Sequence, residues 1–318
     1  MSHTFKKILV ACILFLSVFS GGFLVQPAQA EETINIGILQ FIEHEALDDA
    51  REGFMEELEA SEYGDRIKFD VQNASGDNAS LQSLSEKLAR DNDILYAIAT
   101  PAAIGLAAVE SEKPIFFAAV TDPVDVELVE SLEKPGKNLT GTSDMAPIKK
   151  QVDLLIKNFP EAKKIGVIYD SGEMNSIVAV KEAKTHIEKA GLELVEGTVT
   201  STNDIQQTMA ALVADVDAFF MVTDNTIDSS IALVGDMAID AGKPMVGSSA
   251  PVVEKNGLMT LSNSYVEYGK QTAQMVIRML DQDLEVSEMP VELGENFELV
   301  INEKNAKKLN LDIKAIQQ

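Results

Sequence analysis

Two segments carry residue types that can bind a carboxylate without a basic side chain. Thr100 and Pro101 suit the N-cap and the first position of a helix, and Asn175 and Ser176 follow a turn residue, Gly172. Backbone N–H groups at a helix N-terminus are free to bind an anion, and nearby hydroxyl and amide groups add donors. The pattern predicts an anion-binding helix start in each segment, with plain helix capping as the alternative for both.

Two carboxylates are candidates for binding a ligand ammonium group. Asp224 and Glu43 each follow a predicted strand, where a partly buried carboxylate gains a charge-assisted hydrogen bond from a cation. The alternative for each is a helix-start residue that faces the macrodipole. His44 stands beside Glu43 without a second histidine at metal-ligand spacing, so we expect a polar lining or structural role and no metal site.

Other polar and aromatic residues at predicted strand ends complete the candidate ligand-binding set. They are Phe41, Ala102, Asp122, Thr142, Ser143, Glu173, Asn225, Thr226, Ser249, Asn263 and Tyr265. A zwitterionic amino acid needs an anion site and a cation site close together, and the chain supplies both without arginine. The residues expected to hold the carboxylate and polar edge are Thr100, Ala102, Thr142, Ser143, Asn175 and Ser176. The ligand side chain is expected to be flanked by Phe41, Pro101 and Tyr265. Isolated aromatic residues such as Phe41 and Tyr265 commonly serve packing instead.

The composition excludes several classes of function. The chain of 318 residues has 51 acidic and 26 basic residues and a net charge of −25, which argues against nucleic acid or a polyphosphate as a partner. The motifs of serine hydrolases, zinc proteases, P-loop proteins and dinucleotide-binding proteins do not occur. We therefore predict a protein that is not an enzyme and needs no cofactor.

The first thirty residues predict export. Lys6 and Lys7 precede an apolar run, Ile8 to Val25, and Ala28-Gln29-Ala30 matches a signal-peptidase site. We expect cleavage after Ala30 and a periplasmic, cell-surface or extracellular location, with an uncleaved N-terminal membrane anchor as the alternative. The single cysteine, Cys12, lies inside this signal, so the mature chain has neither a disulfide nor a thiolate metal site.

The candidate site residues are separated by alternating strand and helix patterns. Such alternation is typical of an α/β fold with parallel sheets, and it occurs twice along the chain. The predicted strands are 34–39, 67–72, 94–99, 114–118, 164–169, 192–199, 218–222, 244–246, 258–262 and 297–301. The predicted helices are 43–60, 78–90, 101–110, 175–190, 203–213, 226–241, 265–281 and a short one ending near 309. Only residues 138–147 separate the halves, which favours two lobes with a cleft at the carboxyl ends of the strands.

Several short segments resemble a known family. They include Gly37-Ile38-Leu39-Gln40, Ala97-Ile98-Ala99-Thr100-Pro101-Ala102-Ala103, Ala119-Val120-Thr121-Asp122-Pro123-Val124, Thr140-Gly141-Thr142-Ser143-Asp144, Asp224-Asn225-Thr226 and Gly269-Lys270-Gln271-Thr272. In number and order they resemble the solute-binding proteins of bacterial ABC importers associated with tryptophan and other aromatic amino acids. Ile104-Gly105 and Asn263-Ser264-Tyr265 depart from the pattern of that family and leave the identity of the ligand open.

The resemblance implies a type I periplasmic-binding-protein fold, in which two Rossmann-like lobes joined by three crossovers close on a ligand. One lobe would comprise residues 33–144 plus 263–285, and the other 145–262 plus 286–318. The implied function is the binding of an aromatic amino acid (tryptophan, phenylalanine or tyrosine) by a monomer that presents it to an ABC permease. A sugar-binding or nucleoside-binding protein, or a sensor protein that presents its ligand to a receptor, is the alternative on the same fold.

Overall fold

A computed structural model describes residues 32–294 and 297–316. The predicted signal segment, residues 1–30, lies outside these ranges. Within them, none of the helices is both long and apolar enough to cross a membrane.

The described residues form twelve strands and eleven helices. The strands are β1 (Ile34–Gln40), β2 (Ile67–Asn73), β3 (Ile94–Ile98), β4 (Ile115–Val120), β5 (Leu139–Ser143), β6 (Lys164–Asp170), β7 (Glu193–Val199), β8 (Ala218–Met221), β9 (Met245–Gly247), β10 (Met259–Ser262), β11 (Glu292–Leu293) and β12 (Glu298–Ile301). The helices are α1 (Glu45–Glu59), α2 (Asn78–Asp91), α3 (Thr100–Val109), α4 (Ile148–Asn158), α5 (Met174–Lys189), α6 (Ile205–Asp215), α7 (Asn225–Ser229), α8 (Ile231–Asp240), α9 (Ala250–Lys255), α10 (Tyr265–Gln282) and α11 (Glu303–Lys308).

The strands form two sheets with the same internal order. The first sheet runs β11-β5-β4-β3-β1-β2 and is parallel throughout. The second runs β12-β10-β9-β8-β6-β7 and is parallel except for the pairing of β12 with β10. Two Rossmann-like lobes with parallel sheets are therefore confirmed.

The chain passes between the lobes three times, as predicted. It leaves the first sheet after β5, returns between β10 and α10, which packs against α1, and leaves again between β11 and β12. One predicted boundary is wrong. Residues 286–293 were assigned to the second lobe, but Glu292 and Leu293 pair in parallel with Thr142 and Ser143 of the first sheet. A two-residue strand has no periodicity from which a sequence could reveal it. The other lobe boundaries remain those that the resemblance implies.

Three helical features differ from the predicted elements. Neither α4 nor α9 is among the predicted helices, although Ile148, Val152 and Leu155 are buried at helical spacing along α4. The single helix predicted over 226–241 is divided into α7 and α8, because Ser230 leaves the helical conformation with φ −113° and ψ 16°. The short α7 matters because it contributes to the cleft between the lobes.

Helices α1 and α10 pack with their backbones almost in contact. A Cβ atom at Gly269 would lie 2.1 Å from the carbonyl oxygen of Ala50, and one at Gly53 would lie 2.2 Å from that of Val266. Beneath this contact the ring of Tyr96 stacks on Phe54, with ring centroids 3.8 Å apart. The close approach fixes α10, which the chain supplies only after the second lobe, to the core of the first.

We predict that Gly269→Ala lowers the free energy of unfolding by about 3 kcal/mol, since the added methyl group must push α1 and α10 apart. Urea denaturation followed by circular dichroism measures this loss. Gln282→Ala, at the exposed end of the same helix, is the matched control and is expected to change stability by less than about 0.5 kcal/mol. Equal stability of the two variants would show that the helices have room to separate.

Candidate functional site

The candidate site lies where the strand order reverses in each sheet. In the first lobe this point is between β1 and β3, and in the second it is between β6 and β8. Ligands of open parallel sheets bind beyond the carboxyl ends of the strands at such a point. Phe41 and His44 follow β1 and Thr100 follows β3, whereas Glu173 follows β6 and Asp224 follows β8. The two sets meet between the lobes, where His44 Nε2 lies 3.3 Å from Asn225 Oδ1.

Unusual backbone conformations occur at the cleft end of the strands. Ala99 has φ 82°, Ala119 φ 56° and Ser248 φ 56°, just after β3, near the end of β4 and just after β9. Side-chain-bearing residues rarely adopt positive φ, and each such residue costs of order 1–3 kcal/mol. The turn at Ala99 lets α3 begin directly after β3, so that its N-terminus starts at the cleft.

Helix starts and hydroxyl groups form one end of the site. Thr100 opens α3 in the first lobe, and Asn175 and Ser176 open α5, which packs beside α3 from the second lobe. All three residues are buried. The Nδ2 atom of Asn175 donates to the carbonyl oxygen of Thr223 over 3.1 Å, which fixes the amide. The free N–H groups at the start of α3 and the Thr100 hydroxyl are suited to an anion such as a carboxylate, whereas the start of α5 already has the carboxyl group of Glu173 at its N-cap.

Buried polar atoms without a hydrogen-bond partner among the described residues concentrate between the lobes. They are Thr100 Oγ1, Asp144 Oδ1, Asn175 Oδ1, Ser249 Oγ and Asn263 Oδ1, with Asn305 Oδ1 as the exception in α11. An unsatisfied buried polar group costs about 1–3 kcal/mol. Their clustering in the cleft and its crossovers therefore indicates a site for a polar ligand. Four of the five cleft residues are predicted site residues; Asp144 is not.

Two buried carboxylates form the other end of the site. Asp228 in α7 is 3% exposed and accepts a hydrogen bond from Ser248 Oγ over 3.2 Å, and Asp144 is 4% exposed and accepts one from the Tyr265 hydroxyl over 2.6 Å. Burial raises the pKa of both carboxyl groups, and the charge of Asp144 contributes to the raised pKa of Asp228. Within the described ranges neither is paired with a basic side chain. A cation between them would offset this cost.

The sequence prediction missed both of these carboxylates as site residues. Asp144 ends a segment that carries the family resemblance, and Asp228 lies one helical turn after Asp224. The spacing of four residues was the available signal, since it places both side chains on one face of a helix that starts at the cleft.

Asp224 supports the fold of the second lobe, and the ammonium role predicted for it stays a prediction. It is 0% exposed, and its two oxygens accept backbone hydrogen bonds from Asp170 N over 2.6 Å and from Ile227 N over 2.8 Å. Burial and the neighbouring charge of Glu173 raise the pKa of its carboxyl group. Its contacts fix the start of α7 and so determine where Asp228 lies.

Glu173 anchors the same short helix from the end of β6. It accepts hydrogen bonds from Thr226 N over 2.9 Å and from the Thr226 hydroxyl over 3.0 Å. It also accepts one from Asn225 N over 3.2 Å. Burial raises the pKa of its carboxyl group. Glu173, Asn225 and Thr226 thus form a network that positions α7, although they were predicted as ligand contacts.

Four predicted site residues are placed away from the buried polar cluster. Glu43 is exposed, and Asp122 accepts hydrogen bonds from the backbone of its own turn, at Val124 and Asp125. Thr142 and Ser143 are buried within the first lobe. The hydroxyl of Thr142 accepts a hydrogen bond from that of Thr272 over 2.9 Å. The hydroxyl of Ser143 donates to the carbonyl oxygen of Thr121 over 3.1 Å. The fold of lobe one accounts for their polar character.

The apolar candidates lie at element ends in the first lobe. Phe41 and Ala102 are buried and Pro101 is half-buried. Tyr265 at the start of α10 meets Tyr268 edge to face, with ring centroids 5.4 Å apart. Its hydroxyl reaches Asp144, so an aromatic face and a carboxylate come together at the crossovers.

His44 is part of a contact between the lobes. It is buried, and desolvation lowers its pKa from an ordinary 6.5 to about 4, opposed by the hydrogen bond with Asn225 and the charge of Asp48. Lys255 in α9 lowers it further. The imidazole is therefore neutral at pH 7. In the part of the chain that the structure describes, no group of three histidine, cysteine, aspartate or glutamate side chains is arranged to hold a metal ion.

Comparison with known proteins confirms the family that the sequence resembles. The family model for ABC transporter substrate binding proteins matches residues 35–316. The chain belongs to this family. Its members are extracytoplasmic substrate-binding components and not enzymes, and they work with the other components of ABC transporters.

Three relatives extend over most of this substrate-binding protein. A curated tyrosine-binding protein of Clostridioides difficile is 38% identical over 280 residues, which cover 87% of this chain and 81% of the relative. A solved structure from Streptococcus pneumoniae in complex with L-Trp is 36% identical, covers 89% of this chain and 96% of its own, and has a TM-score of 0.85. A third relative is the ligand-free, open structure of a substrate-binding protein with adhesive properties from Clostridium difficile. It is also 36% identical, the match covers 88% of this chain and 96% of that chain, and the TM-score is 0.66.

We predict that Asp224→Ala destabilises the protein, because it leaves the buried N–H groups of Asp170 and Ile227 without acceptors. The expected loss is about 2–5 kcal/mol in the free energy of unfolding, measured by chemical denaturation. Asp122→Ala also removes an acceptor of two backbone N–H groups, but in an accessible turn, and is expected to cost less than about 1 kcal/mol. Normal stability of Asp224→Ala together with lost ligand binding would restore Asp224 as a ligand contact.

Proposed function

We propose that the protein binds an aromatic amino acid between its lobes and delivers it to an ABC importer. The observation that carries the proposal is the pairing of two ends in one buried cleft. The start of α3 with the Thr100 hydroxyl suits the ligand carboxylate, and Asp228 with Asp144 suits its ammonium group. A small zwitterion matches this pairing, and a neutral sugar would leave the carboxylates without a cation.

The relatives support an aromatic side chain. One is named for tyrosine and another was solved with tryptophan, and both match this chain at more than 35% identity over most of its length. Tyr265 and Phe41 supply aromatic surface near the polar ends. Tyrosine, tryptophan and phenylalanine are therefore the proposed ligands.

The proposed mechanism is closure of the two lobes on the ligand. The two solved relatives have the same identity to this chain, yet its shape is nearer to the tryptophan complex than to the ligand-free, open structure, with TM-scores of 0.85 and 0.66. A ligand that touches both lobes binds the closed arrangement better than the open one and shifts the equilibrium between them. A permease would then take the ligand from the closed, monomeric protein. Cleavage after Ala30 would release it into the extracytoplasmic space.

Calorimetry on ligand-stripped protein tests the proposal. Protein lacking residues 1–30 is unfolded, dialysed and refolded, and then titrated with the twenty amino acids and with representative sugars and nucleosides. We expect one-to-one binding of tyrosine, tryptophan or phenylalanine. Binding of a sugar or nucleoside with no response to any amino acid would refute the proposed ligand class.

Closure should also depend on pH through His44. The pKa of His44 is about 4 in the closed arrangement and an ordinary 6.5 when the ring is exposed, so protonation disfavours closure as pH falls from 6.5 towards 4. The raised pKa values of Asp144, Glu173, Asp224 and Asp228 act in the opposite direction, since protonation favours their buried forms. The contribution of His44 must therefore be isolated with a variant.

We predict that wild-type affinity falls more steeply than that of His44→Gln between pH 7.5 and 5, with a difference of up to about 30-fold. Glutamine keeps a polar group towards Asn225 but does not titrate. His186→Gln, in the last turn of α5 and away from the cleft, is the control and is expected to follow the wild type. Identical pH profiles for all three proteins would show that His44 is not buried by closure.

A further inference from the structure

We infer that this cleft recognises the ammonium group of its ligand far more strongly than the carboxylate, so that arylalkylamines such as tyramine are also ligands. The inference rests on the proposed function, because it takes the aromatic amino acid as the reference ligand. It concerns which half of the zwitterion supplies the binding energy.

The cation end consists of buried carboxyl groups. Asp144 and Asp228 are both more than nine-tenths buried, and Asp144 Oδ1 has no hydrogen-bond partner among the described residues. Their remaining partners are neutral hydroxyl groups, those of Tyr265 and Ser248. Asp224 and Glu173 add two further buried carboxylates close behind Asp228. Ionised carboxylates in this position are costly, and a ligand ammonium group would offset that cost.

The anion end holds only partial charges. It consists of the N-terminus of α3 and of the Thr100 hydroxyl, which has no hydrogen-bond partner among the described residues. The start of α5 adds little, because the buried carboxyl group of Glu173 lies at its N-cap and the Ser176 hydroxyl is bonded within the second lobe. None of the four arginines belongs to the anion end. Arg51 is held by Gln40 and by Asp48 over 3.0 Å. Arg66 directly precedes β2, Arg90 pairs with Asp91 at the end of α2, and Arg278 in α10 pairs with Glu292. Helix starts supply about half a unit charge each, so they bind a carboxylate less strongly than a guanidinium would.

The two ends should therefore respond differently when half of the zwitterion is removed. An amine without the carboxylate loses hydrogen bonds from neutral donors, and one such bond to a charged group corresponds to a loss of about 10- to 100-fold in affinity. An acid without the ammonium group leaves the buried carboxylates unpaired and brings a net negative charge to the site. When a ligand analogue lacks the group that pairs with buried polar groups of a site, its binding is weakened by about 10⁴-fold or more.

Two matched ligand series test the inference by calorimetry on the ligand-stripped protein. One is tyrosine, tyramine and 3-(4-hydroxyphenyl)propanoate, and the other is tryptophan, tryptamine and indole-3-propanoate. We expect each amine to bind about 10- to 100-fold more weakly than its amino acid and neither acid to bind measurably. If tyrosine and tryptophan bind but the acids bind as well as the amines, or both analogues are lost equally, the inference is wrong and the proposed function stands. If no amino acid binds, the proposed function itself fails.

Two variants assign the ends of the ligand. Asp228→Asn keeps an acceptor for Ser248 but removes the charge, and it should weaken tyrosine and tyramine alike by about 100-fold. Thr100→Val keeps the shape of the side chain but removes the hydroxyl, and it should weaken tyrosine by about tenfold while leaving tyramine unchanged. Glu182→Gln, on the exposed face of α5, is the control and should alter neither ligand. If Thr100→Val weakens the binding of tyrosine and of tyramine equally, the assignment of Thr100 to the ligand carboxylate is wrong. The ligand series on the wild-type protein tests the inference even if a variant fails to fold.

Discussion

Buried negative charge between the lobes is the constraint on which the rest of the structure depends. Asp228 and Asp144 lie out of water without a basic partner in the described chain, and Asp224 and Glu173 lie close behind them. Such an arrangement is costly unless its position is fixed and a cation offsets it. Backbone amide donors to Asp224 and Glu173 fix the start of α7, and the Tyr265 hydroxyl fixes Asp144. The repeated strand order brings these groups to one crevice, so fold and ligand chemistry are linked through electrostatics.

The architecture was largely predictable because it follows from patterns that are local in sequence. Fully buried strands such as Ile94–Ile98 are continuous apolar runs, and the helices between them have apolar residues at helical spacing. The short strand β11 was not predictable, because Glu292 and Leu293 become a strand only by pairing with β5. The position of α7 was not predictable either, because the network around Glu173 joins residues about fifty positions apart.

The site was predictable in its location and only partly in its residues. Strand ends identify Thr100, Asn175 and Ser249, whose buried polar atoms lack partners among the described residues. Sequence position does not show where a carboxylate directs its oxygens. Asp224 and Asp228 share a helix and a residue type, yet backbone amides occupy the oxygens of the first and a single serine hydroxyl meets the second. The exposure of Glu43 and the internal bonds of Thr142 likewise depend on tertiary contacts.

The three crossovers have a consequence for biogenesis. The first lobe needs α10 and β11, which follow the second lobe in the chain, and the second lobe needs β12 and α11, which come last. Neither lobe can therefore complete its core while the C-terminal residues are still being synthesised or translocated. A chain that emerges from an export channel would expose incomplete sheets until its last strand has passed. The topology thus couples folding to the end of translocation and makes holding chaperones useful during that interval.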